Sequence, residues 1–105
     1  MRKITEDSIN AFMNAEPFNK SNTEVKVMAL ENSKPCLIHL YLFDNLIAIR
    51  HINKRVHKIQ VTNCGWKTNT TKERLNGIPG VSIYEKNKEW FLNDRLWNGE
   101  LIDIT

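Results

Sequence analysis

"CLIHLYLFDNLIAIRHI", residues 36–52, is the stretch that decides the fold. It contains two apolar runs, CLIHLYLF and LIAIRHI, which are joined at Asp44 and Asn45. Both of these residue types tolerate the left-handed backbone of a tight hairpin turn. Because apolar residues fall on both faces of each run, we predict two neighbouring strands at the centre of an antiparallel sheet.

Alternating segments on either side of this hairpin predict further strands with one wet face. TEVKVMAL, residues 23–30, places Val25 and Val27 on one face and polar residues on the other. VHKIQVTN, residues 56–63, alternates in the same way and predicts a strand with a basic, polar face that includes Lys58. Both patterns have the period of two residues that is typical of strands.

The C-terminal third, VSIYEKNKEWFLNDRLWNGELIDI, also predicts strands. A KNK turn separates two strand-like runs, and Asn98 with Gly99 is a strong hairpin signal. Trp90 and Trp97 are expected in the core or in cross-strand pairs rather than in a surface for base stacking.

A first helix is predicted in TEDSINAFMNAEPF, residues 5–18. Thr5 is the expected N-cap, because the two acidic residues after it suit the positive end of the helix dipole. Ile9, Phe12 and Met13 form one apolar stripe at helical spacing. A helix this short is marginal alone, so the stripe should pack on the sheet.

A second helix is predicted in TNTTKERLN, residues 68–76. Thr68, Asn69 and Thr70 are all candidate N-caps, and with Thr70 as the cap Glu73 would complete a capping box. The Asn-Gly-Ile-Pro sequence that follows is a helix stop signal. Leu75 and Ile78 are most simply core contacts.

The elements together predict an α+β fold, in which one small domain, residues 1–105, holds a mostly antiparallel sheet of five to seven strands and two short helices. A chain of 105 residues is long enough to bury one core. The hydrophobic fraction of 41% and the charged fraction of 26% are typical of soluble globular proteins. The longest apolar run is too short to span a bilayer and no signal peptide is apparent, so we expect a cytoplasmic protein without a membrane partner.

The sequence shows no catalytic or metal-binding pattern. A zinc site of Cys36, His39, His57 and Cys64 is disfavoured, because residues three apart on a strand point to opposite faces. The sequence lacks a Walker loop, G-x-S-x-G, H-E-x-x-H and G-x-G-x-x-G. We therefore predict a protein that is not an enzyme and needs no cofactor.

Positive charge is concentrated between Arg50 and Arg74. Seven cations face Glu73 alone in this segment, which therefore carries +6 while the rest of the chain carries −3. Such a segment is either a footprint for nucleic acid or an acidic partner, or a solvated face, and the sequence leaves both open. The candidate binding residues are Arg50, Lys54, Arg55, Lys58, Trp66, Lys67, Thr68, Thr70, Thr71, Lys72 and Arg74.

GWKTNTTKERLN, residues 65–76, has a structural and a functional interpretation. In the structural one, which we favour, Trp66 anchors the helix to the sheet. In the functional one, free amides at the helix start and the threonine hydroxyls bind a phosphate, while Lys67 and Lys72 add charge. Glu73 tempers this second interpretation, because a carboxylate in the first turn competes for the same amides.

Four segments stand out together, in the order FNKSNTEV, NLIAIR, GWKTNTTKERLNGIPGVSIYEKNKEWFLN and WNGE. Between Phe18 and Glu100 they resemble a family of small proteins encoded by tailed bacteriophages and prophages. The pattern GW-x-T-x-TTK-x-RLN is the most specific part of the resemblance. It implies a phage setting in the bacterial host cytoplasm and a shared fold, and it supplies no catalytic residues.

Two functions are expected in this setting. The first is a non-enzymatic phage accessory protein that binds and modulates a host protein or nucleoprotein complex, in host takeover or anti-defence. Its basic segment would meet an acidic patch, and exposed aromatic side chains would supply affinity. The second is direct binding of DNA or RNA through the basic segment and Trp66.

Overall fold

The computed structural model describes residues 2–29, 35–52 and 57–104. The elements are α1 Lys3–Asn14, β1 Phe18–Lys20, β2 Thr23–Ala29, β3 Pro35–Leu42, β4 Asn45–Ile52, β5 His57–Val61, α2 Asn69–Asn76, β6 Ile83–Lys86, β7 Glu89–Leu92, β8 Arg95–Leu96 and β9 Ile102–Asp103. Two helices and a mostly antiparallel sheet confirm the predicted α+β class.

Six strands form the main sheet, in the order β1-β2-β3-β4-β5-β9. Each neighbouring pair is antiparallel, and β3 and β4 lie at the centre, as the two apolar runs predict. The number of strands in this sheet lies within the predicted range. Strands β6, β7 and β8 form a separate antiparallel sheet, which the sequence patterns did not distinguish from the main one.

The central hairpin turns one residue earlier than predicted. Phe43 and Asp44 occupy the turn with φ of 50° and 64°, which is the pattern of a type I′ turn. Asn45 already belongs to β4, opposite Leu42. The strands also contain a bulge, because Leu40 and Tyr41 are adjacent whereas their partners in β4 are separated by Ile47.

The core lies between one face of the main sheet, the two helices and the small sheet. Val25, Leu40 and Val61 share one row on this face of the main sheet and are at most 3% exposed. Phe12 of α1 and Leu75 of α2 belong to the same buried cluster. Each such side chain stabilises the fold by about 1.5 to 3 kcal/mol.

The first helix starts three residues earlier than expected. Arg2 holds the N-cap position, so the prediction of Thr5 as the cap was wrong. Thr5 lies inside the helix with its side chain buried, because distant polar groups bind its hydroxyl. The predicted apolar stripe is confirmed, since Ile9 and Phe12 are buried and Met13 packs against them.

The sequence Asn98-Gly99 does not form the predicted hairpin. The turns of the small sheet are Asn87-Lys88 and Asn93-Asp94, each with two residues of positive φ. Gly99 instead accepts hydrogen bonds from Asn63 N–H at 3.1 Å and from Thr62 Oγ1 at 2.6 Å. It therefore ties the segment before β9 to the end of β5.

The two tryptophans of the C-terminal third are buried, as predicted. Trp90 and Trp97 are 1% and 4% exposed, and their rings lie 6.3 Å apart in a tilted arrangement. Each indole N–H has a partner, since Trp90 donates to the Glu85 carboxylate and Trp97 to the Glu100 carbonyl. Together they connect the small sheet to the core.

Replacing Gly99 with alanine should destabilise the protein more than the same change at Gly80. Both glycines have a left-handed backbone, with φ of 92° and 87°, so alanine costs about 1 kcal/mol at either position. At Gly99 the new Cβ would also overlap the Asn63 side chain, whereas nothing lies within 4 Å at Gly80. We expect Gly99→Ala to lower the free energy of unfolding by about 3 kcal/mol in urea denaturation. Equal losses in both variants would contradict this close packing.

Candidate functional site

An apolar groove, which we call the aromatic groove, lies between the β3–β4 turn and the loop that leads into α2. Its volume is about 420 Å³. One wall comes from the end of β3 and the start of β4, and the other comes from the loop and the first turn of α2. The lining residues are Leu42, Phe43, Asn45, Ile47, Asn63, Trp66, Thr68 and Thr71.

Two aromatic side chains of the groove are exposed to solvent. Phe43 is 62% exposed and Trp66 is 57% exposed, so the expectation that Trp66 anchors in the core was wrong. The groove also reaches Leu42 and Ile47, which are buried. Large exposed apolar side chains beside an apolar groove are typical of an interaction surface.

The backbone that carries Trp66 is held in place by Asn63. The Asn63 side-chain oxygen accepts a hydrogen bond from Gly65 N–H, and its backbone carbonyl accepts one from Trp66 N–H, both at 2.8 Å. Asn63 is itself buried, and both Cys64 and Gly65 have positive φ. The outward position of Trp66 therefore follows from a well-bonded turn.

Phe43 has a backbone conformation that is unfavourable for its residue type. Its φ of 50° lies in the left-handed region, where bulky residues are rare and where asparagine, aspartate and glycine are preferred. The turn is held against the β1–β2 turn by a hydrogen bond of 2.8 Å from Phe43 N–H to the Asn22 carbonyl. Strain of this kind concentrates at functional sites, which makes the Phe43 ring a candidate binding residue.

The second helix begins directly at the groove. Thr68 is its N-cap, as one of the three predicted alternatives has it, and its hydroxyl accepts a hydrogen bond from Thr71 N–H at 3.1 Å. Thr71 is buried, whereas Thr70 is half-buried and lies inside the helix. The predicted capping box with Thr70 is not formed, because Glu73 binds residues of other elements instead.

Two arginines of the predicted basic segment are used inside the fold. Arg74 is 1% exposed, and it forms an ion pair of 2.9 Å with Glu73. Arg50 shares the core face of the sheet with Ile38 and donates to the Phe12 carbonyl at 3.4 Å, near the end of α1. A cation at this end of a helix is favourable. The Arg74 side chain is closed off from solvent, whereas Arg50 is half-buried.

The lysines of the segment lie in different places. Lys58 is on the opposite face of the main sheet and forms an ion pair of 3.2 Å with a carboxylate of β9. Lys72 lies 3.8 Å from a carboxylate of β6 and over an indole ring of the core. Lys67 is exposed beside the groove. The predicted residues Lys54 and Arg55 lie outside the described residues.

The buried guanidinium group of Arg74 connects α1, α2 and β2. Its Nε donates to Thr23 Oγ1 at 3.1 Å, and its Nη1 donates to Thr5 Oγ1 and to the Glu73 carboxylate. Thr5 in turn donates to Glu73 at 2.6 Å. This hydrogen bond, followed by Arg2 and Arg74, lowers the pKa of the Glu73 carboxyl, while burial opposes the shift.

A metal-binding cluster and a membrane-spanning helix are both missing from the described residues. No group of three or more His, Cys, Asp or Glu side chains in residues 2–29, 35–52 and 57–104 is placed to hold a metal ion. Neither helix in these ranges is long and apolar enough to cross a membrane.

Comparison with protein families places this small α+β domain among phage proteins. Over residues 1–102 it matches the model of the Kyanoviridae Gp96 protein, and the chain belongs to that family. Comparisons with curated proteins and with solved structures found no match. The expected phage origin is confirmed, and the pattern GW-x-T-x-TTK-x-RLN as a mark of the family stays a prediction.

Acid should destabilise the protein as Glu73 takes up a proton. Because folding lowers the pKa of Glu73 below the ordinary value of 4.5, its stabilising contribution is complete above that value and is lost as pH falls through the folded pKa. We expect Glu73→Gln to be less stable than wild type near neutral pH and to lose less stability in acid. Urea denaturation across the acid range measures both effects.

The control for this experiment is Glu89→Gln, which removes an exposed carboxyl of β7. It should keep the acid dependence of the wild type. A wild-type acid dependence in Glu73→Gln would show that another group governs acid stability.

Replacing Phe43 with asparagine should stabilise the protein. Asparagine tolerates the left-handed backbone that Phe43 adopts at φ of 50°, so the substitution removes strain and an exposed aromatic ring. We expect the free energy of unfolding to rise by about 0.5 to 1 kcal/mol, measured in urea. A loss of stability would show that contacts of the Phe43 ring matter more to the fold than its backbone strain.

Proposed function

We propose that this phage protein is a non-enzymatic accessory protein that binds and modulates a host protein or nucleoprotein complex through the aromatic groove. The observation that supports this proposal is the pair of exposed rings, Phe43 and Trp66, which line one apolar groove. Aromatic side chains that become buried on binding supply a large share of the affinity of protein interfaces. The groove then presents two such side chains at one place.

The free protein carries a cost that a partner would remove. Exposed apolar surface is unfavourable by about 25 cal/mol per Å², and both rings are more than half exposed. The backbone strain at Phe43 adds to this cost. A partner that covers both rings gains the free energy of their burial, so the arrangement is favourable in a complex.

The character of the groove fits protein side chains better than a polar metabolite. A metabolite site has several polar groups that converge on the ligand. Here Asn63 and Thr68 use their side-chain oxygens to bind backbone N–H groups of their own turn and helix. The surface that remains is mainly apolar, and its volume of about 420 Å³ has room for a few side chains of a partner.

Binding of DNA or RNA by the predicted basic segment has less support. Phosphate binding needs several exposed cations on one surface, whereas Arg74 is buried and Lys58 lies on the opposite face of the main sheet from the core. Lys67 is the cation of the segment that lies next to Trp66. The experiment below distinguishes this alternative from protein binding.

A double variant, Phe43→Ser with Trp66→Ser, should lose the host partner. Tagged wild-type protein and the variant are incubated with lysate of the bacterial host, with and without nuclease, and retained proteins are identified. The matched control is Tyr84→Ser with Leu96→Ser, which removes two exposed apolar side chains from the small sheet. We expect the wild type and the control to retain one host protein whether or not nuclease is present. The groove variant should not retain it.

The affinity of each variant for the purified partner then measures how much the two aromatic side chains contribute to binding. Truncation of two central aromatic residues should weaken binding by about 100-fold or more in calorimetry. Urea denaturation of both variants verifies that they are folded. Equal binding by the groove variant and the wild type contradicts the proposal. Loss of all retained proteins after nuclease treatment would also contradict it and would indicate nucleic-acid binding instead.

A further inference from the structure

The main sheet has a second face, opposite the face that holds the core and both helices. The strand register shows which residues lie on this face. Two of its rows cross the sheet from β2 to β5, and one of them continues to β9. One row contains Lys26, His39, Ile49, Gln60 and Asp103, and the next contains Met28, Leu37, His51 and Lys58.

Four basic side chains form a diagonal line across this face. Lys26 lies directly opposite His39, and His51 lies directly opposite Lys58. His39 and His51 are on neighbouring strands one row apart, which is a diagonal Cα separation of about 7 to 8 Å. We call Lys26, His39, His51 and Lys58 the basic diagonal. His39 and His51 are near enough to bind one ligand together, and a lysine lies next to each of them.

Both histidines are oriented by a neighbour on the same face. His39 Nδ1 lies 3.1 Å from the Tyr41 hydroxyl, and His51 Nε2 lies 2.9 Å from Gln60 Oε1. Each contact engages one nitrogen of the ring, and an imidazole has a second nitrogen with which it can bind a ligand. The Lys26 ammonium lies 5.1 Å from the centre of the Tyr41 ring. The side chains of the diagonal are thus held on one surface.

Two carboxylates of this face are next to the basic diagonal. Glu24 is opposite Tyr41 and diagonally across from His39, and Asp103 forms its ion pair with Lys58 at 3.2 Å. The positions directly opposite His39 and His51 hold Lys26, Ile49, Leu37 and Lys58, none of which is acidic. A proton on either imidazole therefore has no facing carboxylate to stabilise it.

The pKa of His39 agrees with this environment. Burial lowers it most, and His51 and Lys26 lower it further. An anion bound among these groups would reverse the effect of the positive neighbours, because it favours the protonated imidazole.

We propose that the basic diagonal binds a phosphate group, with His39 and His51 at the centre of the site and the two lysines at its ends. Phosphate oxygens accept charge-assisted hydrogen bonds from imidazolium and ammonium groups. The phosphate group belongs either to free phosphate or to a nucleic-acid backbone, and the chemistry of recognition is the same. This site shares no residue with the aromatic groove and does not depend on its function.

Phosphate binding is linked to proton uptake by the two histidines. If phosphate prefers the protonated rings, it raises their pKa, and by reciprocity lower pH strengthens binding. For His39, whose free pKa is already lowered, the gain in affinity occurs as pH falls from the bound pKa to the free pKa.

The test measures the pKa of His39 and His51 by NMR in phosphate and in chloride of the same ionic strength. We expect phosphate to raise both values by about half a unit or more. Lys26→Gln should weaken phosphate binding at least about fivefold, whereas the control Lys88→Gln, which removes an exposed turn lysine, should match the wild type. His51→Gln should abolish the shift at His39.

A second arm uses a short single-stranded oligonucleotide in place of inorganic phosphate. Tighter binding of the oligonucleotide that is weakened by Lys26→Gln places a nucleic-acid backbone on the diagonal, and weaker binding assigns the site to free phosphate. Equal pKa values in phosphate and chloride overturn the proposal, as do equal effects of Lys26→Gln and Lys88→Gln. The groove variant with serine at positions 43 and 66 should keep the phosphate response, which separates this test from that of host binding.

Discussion

The buried guanidinium group of Arg74 is the interaction on which the arrangement of the helices depends. A charge in the interior is costly unless it is paired and hydrogen-bonded, so its partners on α1, α2 and β2 must all be in place. Thr5 and Thr23 supply the hydroxyls and Glu73 supplies the carboxylate. The network therefore sets the position of α2 against α1 and the sheet, and with it the position of the loop that carries Trp66.

The aromatic groove follows from two rigid turns brought together by this arrangement. Asn63 accepts hydrogen bonds from the backbone N–H groups of Gly65 and Trp66 and donates one to the Gly99 carbonyl. The strained turn at Phe43 is hydrogen-bonded to the β1–β2 turn. Both aromatic side chains thus stand on ordered backbone before a partner arrives. A surface that is already ordered loses less conformational entropy on binding, which suits the role that we propose for this phage protein.

The features that depend on neighbours in the chain were predictable. Alternation places Val25 and Val61 in the core, and helical spacing places Phe12 there, because periodicity determines which side chains share a face. Thr68 is the helix cap for the same local reason, since its hydroxyl reaches an amide three residues on. One local feature of the sequence could have predicted the groove, namely a phenylalanine, Phe43, next to the turn between two apolar runs.

The sequence by itself determined the α+β class, the central hairpin and most of the core, because these follow from local period and turn chemistry. Only the tertiary structure decided that Arg74 points inward and Trp66 outward. The two hydroxyl partners of Arg74 lie 51 and 69 residues away in the chain, and the Asn63 turn is completed by Gly99. Contacts over such separations leave no periodic pattern in the sequence. Residue type alone therefore predicts an exposed arginine in a basic segment and a buried tryptophan beside a helix, which is the reverse of what the structure has.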